Sequence, residues 1–559
     1  MGQEFAANPL KAHSTARRVK IGVFPAQELA SRSRLWDALA ALYSLDFAPC
    51  CNAEAITDCD AAFIFADSQA ATEQIAPRRI PSMAFIGGAA AAAPSAVANV
   101  TVADDPNVRR CFRGRTLPDK AVHSVARLEP GAGDCVLARK GDQPLWLRRD
   151  REGAALQIVA ADAPRLTDGE YLFEHFQSDR WARLFPILHF LQDVSGWTQP
   201  PVRAAIMFDD PNLHWKSYGY ISYPALAEHA RNHNYHVSFA TIPLDGWYVH
   251  PQTAALFRAN RDRLSLCIHG NNHTYYELTE APTDEHRLAL AAQALNRIEQ
   301  FEATSGLQVS RVMAAPHGAC NHAMATALAM TGFEAACISR SSVMIRNPGT
   351  AWPLTVGMTP AEFLGNGLPV YPRYNIRWDE TYPIFSAFLG QPVVPVGHHE
   401  DSADGFELLR RSAELINSLG EVQWMNLQAI ARTNFITQRE GEVLHVKMYS
   451  RSTSLVVPEG IERLGVASAL PQQGGREELV LQNGAEAPIG TEELVRVRPG
   501  EKITLRSIRA DRVDRTAVKL SRTPLWAVAR RQLCEGRDRL RPTIDKLRAL
   551  RNGAAAPTE

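Results

Sequence analysis

Residues 204–211 read AAIMFDDP and residues 264–273 read LSLCIHGNNH. Each is an apolar run of strand length that stops in side chains able to bind a cation or carry a proton. Neighbouring residues on a strand point to opposite faces, so the first strand must turn at Asp209-Asp210 if both carboxylates are to serve one site. One could then hold a cation while the other stays free as a base; a plain Asp-Asp-Pro turn is the competing use of the same residues. His269 and His273 are four apart, a spacing that brings two imidazoles to one face in a turn or first helical turn. Alone they would read equally well as a surface pair. Together with the carboxylates they favour a divalent-metal site of two histidines and one carboxylate at the carboxyl edge of a sheet.

The same pattern recurs outward from these two runs. Between 202 and 434, strand candidates at 204–208, 236–241, 264–269, 311–316, 334–339 and 391–399 alternate with helical stretches such as 223–233 and 285–304. Regular β-then-α alternation over this length predicts a barrel or a doubly wound sheet. A third strand ends in Ala315-Pro316-His317-Gly318, a rigid turn able to aim the His317 backbone N–H at an oxyanion. A fourth ends in Val396-Gly397-His398-His399-Glu400-Asp401. Features at 209, 269, 316 and 398 thus all follow strands in order, which weighs more than any one motif. Trp215, Tyr218, Tyr220, Trp247, Tyr248, Tyr275 and Tyr276 crowd the same loops. Their faces suit sugar rings, and their large apolar area equally suits a core.

The flanks read differently. After a flexible N-terminus (1–16), residues 17–198 are expected to form a small parallel α/β layer of flavodoxin or amidotransferase type. Its strands fall near 18–27, 61–67 and 82–87, with helices at 33–43 and 181–194 and a hairpin at 143–161 turning at Gly153. It carries no G-x-G-x-x-G after its first strand, so no nucleotide site is assigned there. Short alternating segments from 435 to 515 predict a β-sandwich. The tail, 516–559, is basic: within 521–552 nine Lys and Arg face three acids, a surplus of six. Trp526, Leu533, Leu540 and Leu547 recur there at intervals of seven, with Pro524 placed to start a helix and Pro542 to break it. One reading is a basic amphipathic element on an anionic membrane surface. The other is two short helices packing their apolar stripe on the protein itself.

Composition narrows the function classes. The 559 residues suffice for three or four domains. Sixty Lys and Arg balance 60 Asp and Glu, so no global field draws in nucleic acid. Nine scattered cysteines with no C-x-x-C pair fit a reducing compartment. The opening residues lack the apolar core of a signal peptide, and the Ala-rich run at 88–98 is too short to span a bilayer, so a soluble cytoplasmic location is expected.

With these residues in view, 202–434 resembles the NodB-type polysaccharide deacetylases, carbohydrate esterase family 4, within the glycoside hydrolase/deacetylase barrel superfamily. Phe208-Asp209-Asp210 matches the centre of the family's T-F-D-D-G motif, which makes Asp209 the implied general base and Asp210 a metal ligand. His269 and His273 match H-S/T-x-x-H as the other two ligands, with Gly270 in the Ser/Thr place. Pro316-His317-Gly318 meets R-x-P-Y-G, except that Ala314 stands where the arginine that orients the base should be. Arg377-Trp378-Asp379 is a weak counterpart of the Asp-Trp motif. Val396-Gly397-His398 matches Leu-x-His and makes His398 the implied general acid, with His399 in reserve.

The resemblance implies a deacetylase-like (β/α) barrel and a metal-dependent hydrolase that removes N-acetyl groups from an amino sugar or glycan. The implied cofactor is a divalent metal, Zn2+. Trp215, Trp247, Tyr275 and Trp378 are the candidate substrate contacts, and the His317 N–H is the candidate oxyanion donor. A glycosidase of the same superfamily, with Asp209 and Glu400 or Asp401 as its two carboxylates, is the alternative enzyme. A non-catalytic carbohydrate-binding protein with a degenerate site is the third reading.

Overall fold

A computed structural model describes residues 16–87, 97–122, 125–377, 379–470, 477–482, 486–490 and 493–551. The expected flexible N-terminus, except Ala16, most of the Ala-rich run, Trp378 and the last residues of the tail lie outside them. The chain is a mixed α/β protein, and its centre is a curled sheet. Its parallel strands are β1 (Ile206–Asp209), β2 (Val237–Thr241), β3 (Leu264–Ile268), β4 (Val309–Ala314), β5 (Ala335–Cys337), β6 (Leu368–Tyr371), β7 (Tyr374–Asn375) and β8 (Pro395–Gly397). They lie in the order β6-β5-β4-β3-β2-β1-β8-β7, with Glu362–Leu364 antiparallel outside β6. Strands this apolar are covered on both faces, as parallel sheets require, and α1 (Tyr223–Asn232) and α2 (Asp284–Ser305) are among the helices that cover them.

Register sets the rim. Asp209 pairs with Ala240, and Thr241 with Ile268, so β1, β2 and β3 end at one level and their loops share one mouth. The barrel expected from sequence is not closed by hydrogen bonds: among the described residues no ladder joins β6 to β7. The chain itself crosses the gap at Pro372 and Arg373, with Tyr371 O accepting from Ile338 on one side and Tyr374 N–H donating to Val394 O on the other. Both strands beside the gap are too short to give a periodic signal, and neither was foreseen.

The N-terminal sheet is larger than the small parallel layer expected, and the three named strands do pair in parallel within it. The parallel layer and the hairpin are one nine-stranded mixed sheet, because Ala155–Val159 pairs in parallel with Ser82–Ile86 and antiparallel with Gln143–Asp150. Gly153 does occupy the hairpin turn, at φ +98°. The helix drawn at 181–194 runs Phe185–Ser195. From Phe435 to Arg509 the chain forms strands of a five-stranded and a four-stranded sheet, around buried Leu444, Val446, Leu464, Ile503 and Leu505.

The tail departs most from expectation. It is one helix, α3 (Leu525–Arg551), that continues through Pro542. It packs its polar face inward: Arg531, Glu535 and Asp538 are buried, while Leu533, Leu540 and Leu547 are exposed. Arg531 pairs with Asp245 at 2.7 Å, Glu535 with His214 at 3.3 Å, and Asp538 accepts from the Tyr218 hydroxyl at 3.0 Å. Beyond the proline, Asp545 accepts from Tyr220 at 2.5 Å. Polar anchors on both sides of Pro542 hold the two segments in line, offsetting a helix-interior proline cost of about 3 kcal/mol. None of the described helices is long and apolar enough to cross a membrane.

One buried base beneath the sheet gives a pH prediction. His236 Nδ1 and Nε2 lie 2.9 Å from Asp262 O and 2.7 Å from Ser265 Oγ, and burial pushes the imidazole down to about 4. The unfolded chain, near 6.5, takes up that proton first, so stability present above pH 6.5 is lost as pH falls towards 4. The urea midpoint should therefore drop between pH 7 and pH 5, and drop less in His236→Gln, which has no imidazole to charge. An equal drop in both proteins would clear His236 of the effect.

Candidate active site

The mouth above β1, β2 and β3 is built from backbone turns that few side-chain-bearing residues adopt. β1 ends at Asp209, and Asp210 takes φ +77°, the turn that brings both carboxylates to one side. His273 and His317 also have left-handed backbones, at φ +54° and +55°. Conformations of this kind cost about 1–3 kcal/mol each and persist where surrounding contacts impose them. Here the contacts are visible. Glu277 is buried, and its carboxylate accepts N–H bonds from Asn271 at 2.7 Å and from Asn272 and His273 at 3.1 Å. Arg297 donates to Asn271 Oδ1 at 2.6 Å and Asn272 Oδ1 at 2.8 Å from the other side. Gly270 has to be glycine: at φ +65°, a Cβ would stand 2.3 Å from Glu277 Oε1 and 2.7 Å from Pro316 Cγ.

That loop brings Asp210, His269 and His273 together, with one ligand atom of each within 4.8 Å of the others. His273 Nε2 is 3.1 Å and His269 Nε2 3.6 Å from Asp210 Oδ1. His269 Nδ1 lies 2.8 Å from Ala314 O and must donate there, which leaves the Nε2 lone pair facing Asp210. Burial pushes the His269 imidazole down to about 4, so it is neutral, as a metal ligand must be. Asp210 Oδ1 is buried with the His273 and His269 nitrogens as its near neighbours, and burial raises its carboxyl less than His273 lowers it, leaving it well below the carboxylate range. An ionised oxygen with an unused lone pair, beside a neutral imidazole with another, is a donor set that fits a divalent cation.

Asp209 is buried beside this cluster and is held by a residue that the sequence reading missed. Arg373 Nη1 donates to both Asp209 oxygens, at 2.9 and 3.0 Å, and Nη2 donates to Ala315 O at 3.0 Å. Burial pushes the Asp209 carboxyl up, and Arg373, with His269 and His398, more than reverses the shift, so it stays ionised below its ordinary value. Ala314, where the resemblance would place an arginine, contributes only its carbonyl. The guanidinium arrives instead from the gap between β6 and β7.

A cavity of about 350 Å³ opens beside Asp209 and Asp210, with His398 on its far wall and Arg537, Asp538 and Arg541 of α3 along another. His398 is exposed to it; its backbone carbonyl accepts from the Asp401 N–H and the Asp401 carboxylate accepts from the His398 N–H, both at 2.9 Å. His399 is buried against the Tyr218 and Tyr220 rings, 3.8 Å from Asp538. Glu400 and Asp401 reach the cavity already paired, with Arg541 and Arg377, each at 2.5 Å. His317 is exposed, its ring 5.3 Å from that of His273 and 5.6 Å from that of Tyr275. Among the aromatic candidates, Tyr275 thus adjoins His317. Trp215 and Trp247 instead flank α3, Trp215 under Arg539 at 5.7 Å and Trp247 against His214 at 4.9 Å.

No family model and no curated protein matches the chain. Solved structures similar to it include a Mycobacterium smegmatis protein described as a polysaccharide deacetylase, at 14% identity and TM-score 0.30, covering 42% of this chain and 95% of that one. A family 4 carbohydrate esterase from Streptomyces lividans in complex with acetate shows 14% identity and TM-score 0.24 over 41% of this chain and 93% of its own. A CE4-family pseudoenzyme from Bacillus anthracis shows 11% identity and TM-score 0.25 over 42% and 66%.

Proposed function

We propose that the chain is a metal-dependent hydrolase that removes N-acetyl groups from an amino sugar or glycan. The observation that carries this reading is that the Asp210, His269 and His273 donor set reaches, through Asp210, the same cavity that an ionised Asp209 and an exposed His398 line. The motif resemblance supplies the substrate class. A divalent cation such as Zn2+ held by the three ligands supplies Lewis-acid polarisation of an acyl oxygen and a more acidic water. Asp209 accepts the proton of the attacking water on a carboxylate oxygen, and Arg373 keeps that oxygen in place and ionised beforehand. The His317 N–H, turned by its left-handed backbone, is the donor for the developing oxyanion; one such donor is worth about 3 kcal/mol. His398, exposed on the cavity, is the general acid that protonates the leaving amine.

Acetate release from N-acetylated amino sugars, by protein of known metal content, tests the reading. Metal-replete protein that frees no acetate from a broad panel overturns it, and new reducing ends without acetate would transfer the site to a glycosidase. Metal binding has its own readout. Zinc at 100 times its Kd should stabilise the stripped protein by about 2.7 kcal/mol. Asp210→Ala and His273→Ala should respond far less in the same thermal scan. A wild-type melting point unmoved by any divalent ion would remove the cofactor from the proposal.

A further inference from the structure

The outward face of α3 carries large apolar side chains along its whole length, with Gln532, Thr543 and Arg551 among them, although its inward face is charged, the reverse of a helix that packs to bury its apolar side. Leu533 is 75% exposed, Leu540 59%, Leu547 61% and Trp526 58%, and Leu525, Ile544 and Leu550 are exposed on the same side. At 100° per residue these side chains fall within one arc of roughly a third of the helix circumference. Arg537, Arg541 and Arg548 run along one border of that arc, and Lys546 lies on the other. All three acids of the helix, Glu535, Asp538 and Asp545, lie on the opposite face and are engaged by His214, Tyr218 and Tyr220. Arg541 is committed to Glu400, but the Arg537 and Arg548 side chains remain 67% and 74% exposed beside Asp538 and Asp545. The apolar arc therefore has basic borders and no acid on its own side.

We propose that α3 docks the protein on an anionic lipid surface, lying in the plane of the interface with its leucines in the acyl boundary and its arginines at the headgroups. An apolar arc bordered by long basic side chains suits that environment, because arginine stems lie along apolar surface while their heads reach phosphate. A helix of 27 residues lays about 40 Å along the surface. The inward anchors to Asp245, His214 and Tyr218 fix which face points outward, so α3 need not roll to present it. A second copy of this chain is a poorer occupant, since a two-fold contact through this face would set arginine borders against each other. The proposal is independent of what reaction the cavity performs.

Cosedimentation of the full chain with phosphatidylcholine vesicles, with and without 30% phosphatidylglycerol, tests it. Binding is expected only with the anionic lipid and should weaken as salt is raised from about 50 to 500 mM. The variant Leu533→Ser/Leu540→Ser/Leu547→Ser, altered only at exposed positions, should bind about ten-fold or more weakly while keeping its circular dichroism spectrum. Lys546→Ser/Arg548→Ser/Arg551→Ser should lose part of the salt dependence. Wild-type binding by the leucine variant, or equal binding to neutral vesicles, overturns the proposal. So does absence of binding, and so does a dimer in light scattering that the leucine variant abolishes.

Discussion

Asp209→Asn is expected to lower acetate release by about 10²–10⁴-fold while zinc still binds in full. An amide cannot take the proton of the attacking water, yet it nearly preserves the shape of the carboxylate. Its oxygen still accepts from Arg373 Nη1, so the guanidinium is not left wholly without a partner. Initial rates on a verified substrate, together with metal content per chain, separate loss of the base from loss of the site. Wild-type turnover in this variant would remove Asp209 from the role.

Arg373→Met is the larger structural lesion. Removing one partner of a buried ion pair leaves an uncompensated charge and costs about 3–5 kcal/mol. Here the stranded group is Asp209, 7% exposed, beneath a cavity that should hold substrate. Its carboxyl then rises, because burial acts unopposed by the guanidinium. Urea unfolding should show the stability loss, and the pH–rate profile of any remaining activity should move its acid limb to higher pH. The double variant Asp209→Asn/Arg373→Met should recover much of the lost stability, since no buried charge is left unpaired. A single-variant loss below about 1 kcal/mol would mean that the pair is well solvated in solution.

Why was Arg373 invisible in the sequence while Asp209, Asp210, His269 and His273 were not? The four sit at the ends of apolar strands long enough to be read, and the two histidines are close in sequence. Arg373 lies in a two-residue crossing between strands of four and two residues, and its partner is 164 positions away. The strand that ends in Ala314 carries no arginine at the position the motif resemblance points to. The charge enters the site from another strand. Glu277 was overlooked for a related reason: an acid in a polar loop has no pattern, and only the folded turn shows three N–H groups aimed at it.

The tail failed in the opposite way: its pattern was seen, but neither its polar inward face nor its continuity through Pro542 was. Leucines at intervals of seven were expected to face the protein or a membrane, and Pro542 to divide the helix. The ion pair of Arg531 with Asp245 and the hydroxyl contacts of Asp538 and Asp545 decide the orientation, and their partners lie some 290 to 325 residues earlier. Such contacts leave no local trace. In the first 200 residues the central strands were legible for their apolar runs. The strands Ala98–Val102 and Thr116–Asp119 at one end of the sheet were not, because their alternation lasts only five and four residues.

The formal neutrality of the chain conceals a separation of charge. Residues 521–552 carry a surplus of six positive charges, so the remaining residues, with 51 bases and 57 acids, carry six negative ones. Because α3 lies on one side with its acids turned inward, the molecule is an electric dipole whose positive pole is a helix. In the field of a negatively charged surface such a body feels a torque, and because that field decays over a distance short beside the molecule, the near basic pole is pulled more strongly than the far side is pushed. It arrives already turned, helix first, with the acidic remainder held away. That alignment acts within a Debye length, about 10 Å at 0.1 M salt, and so precedes any apolar contact the leucines make.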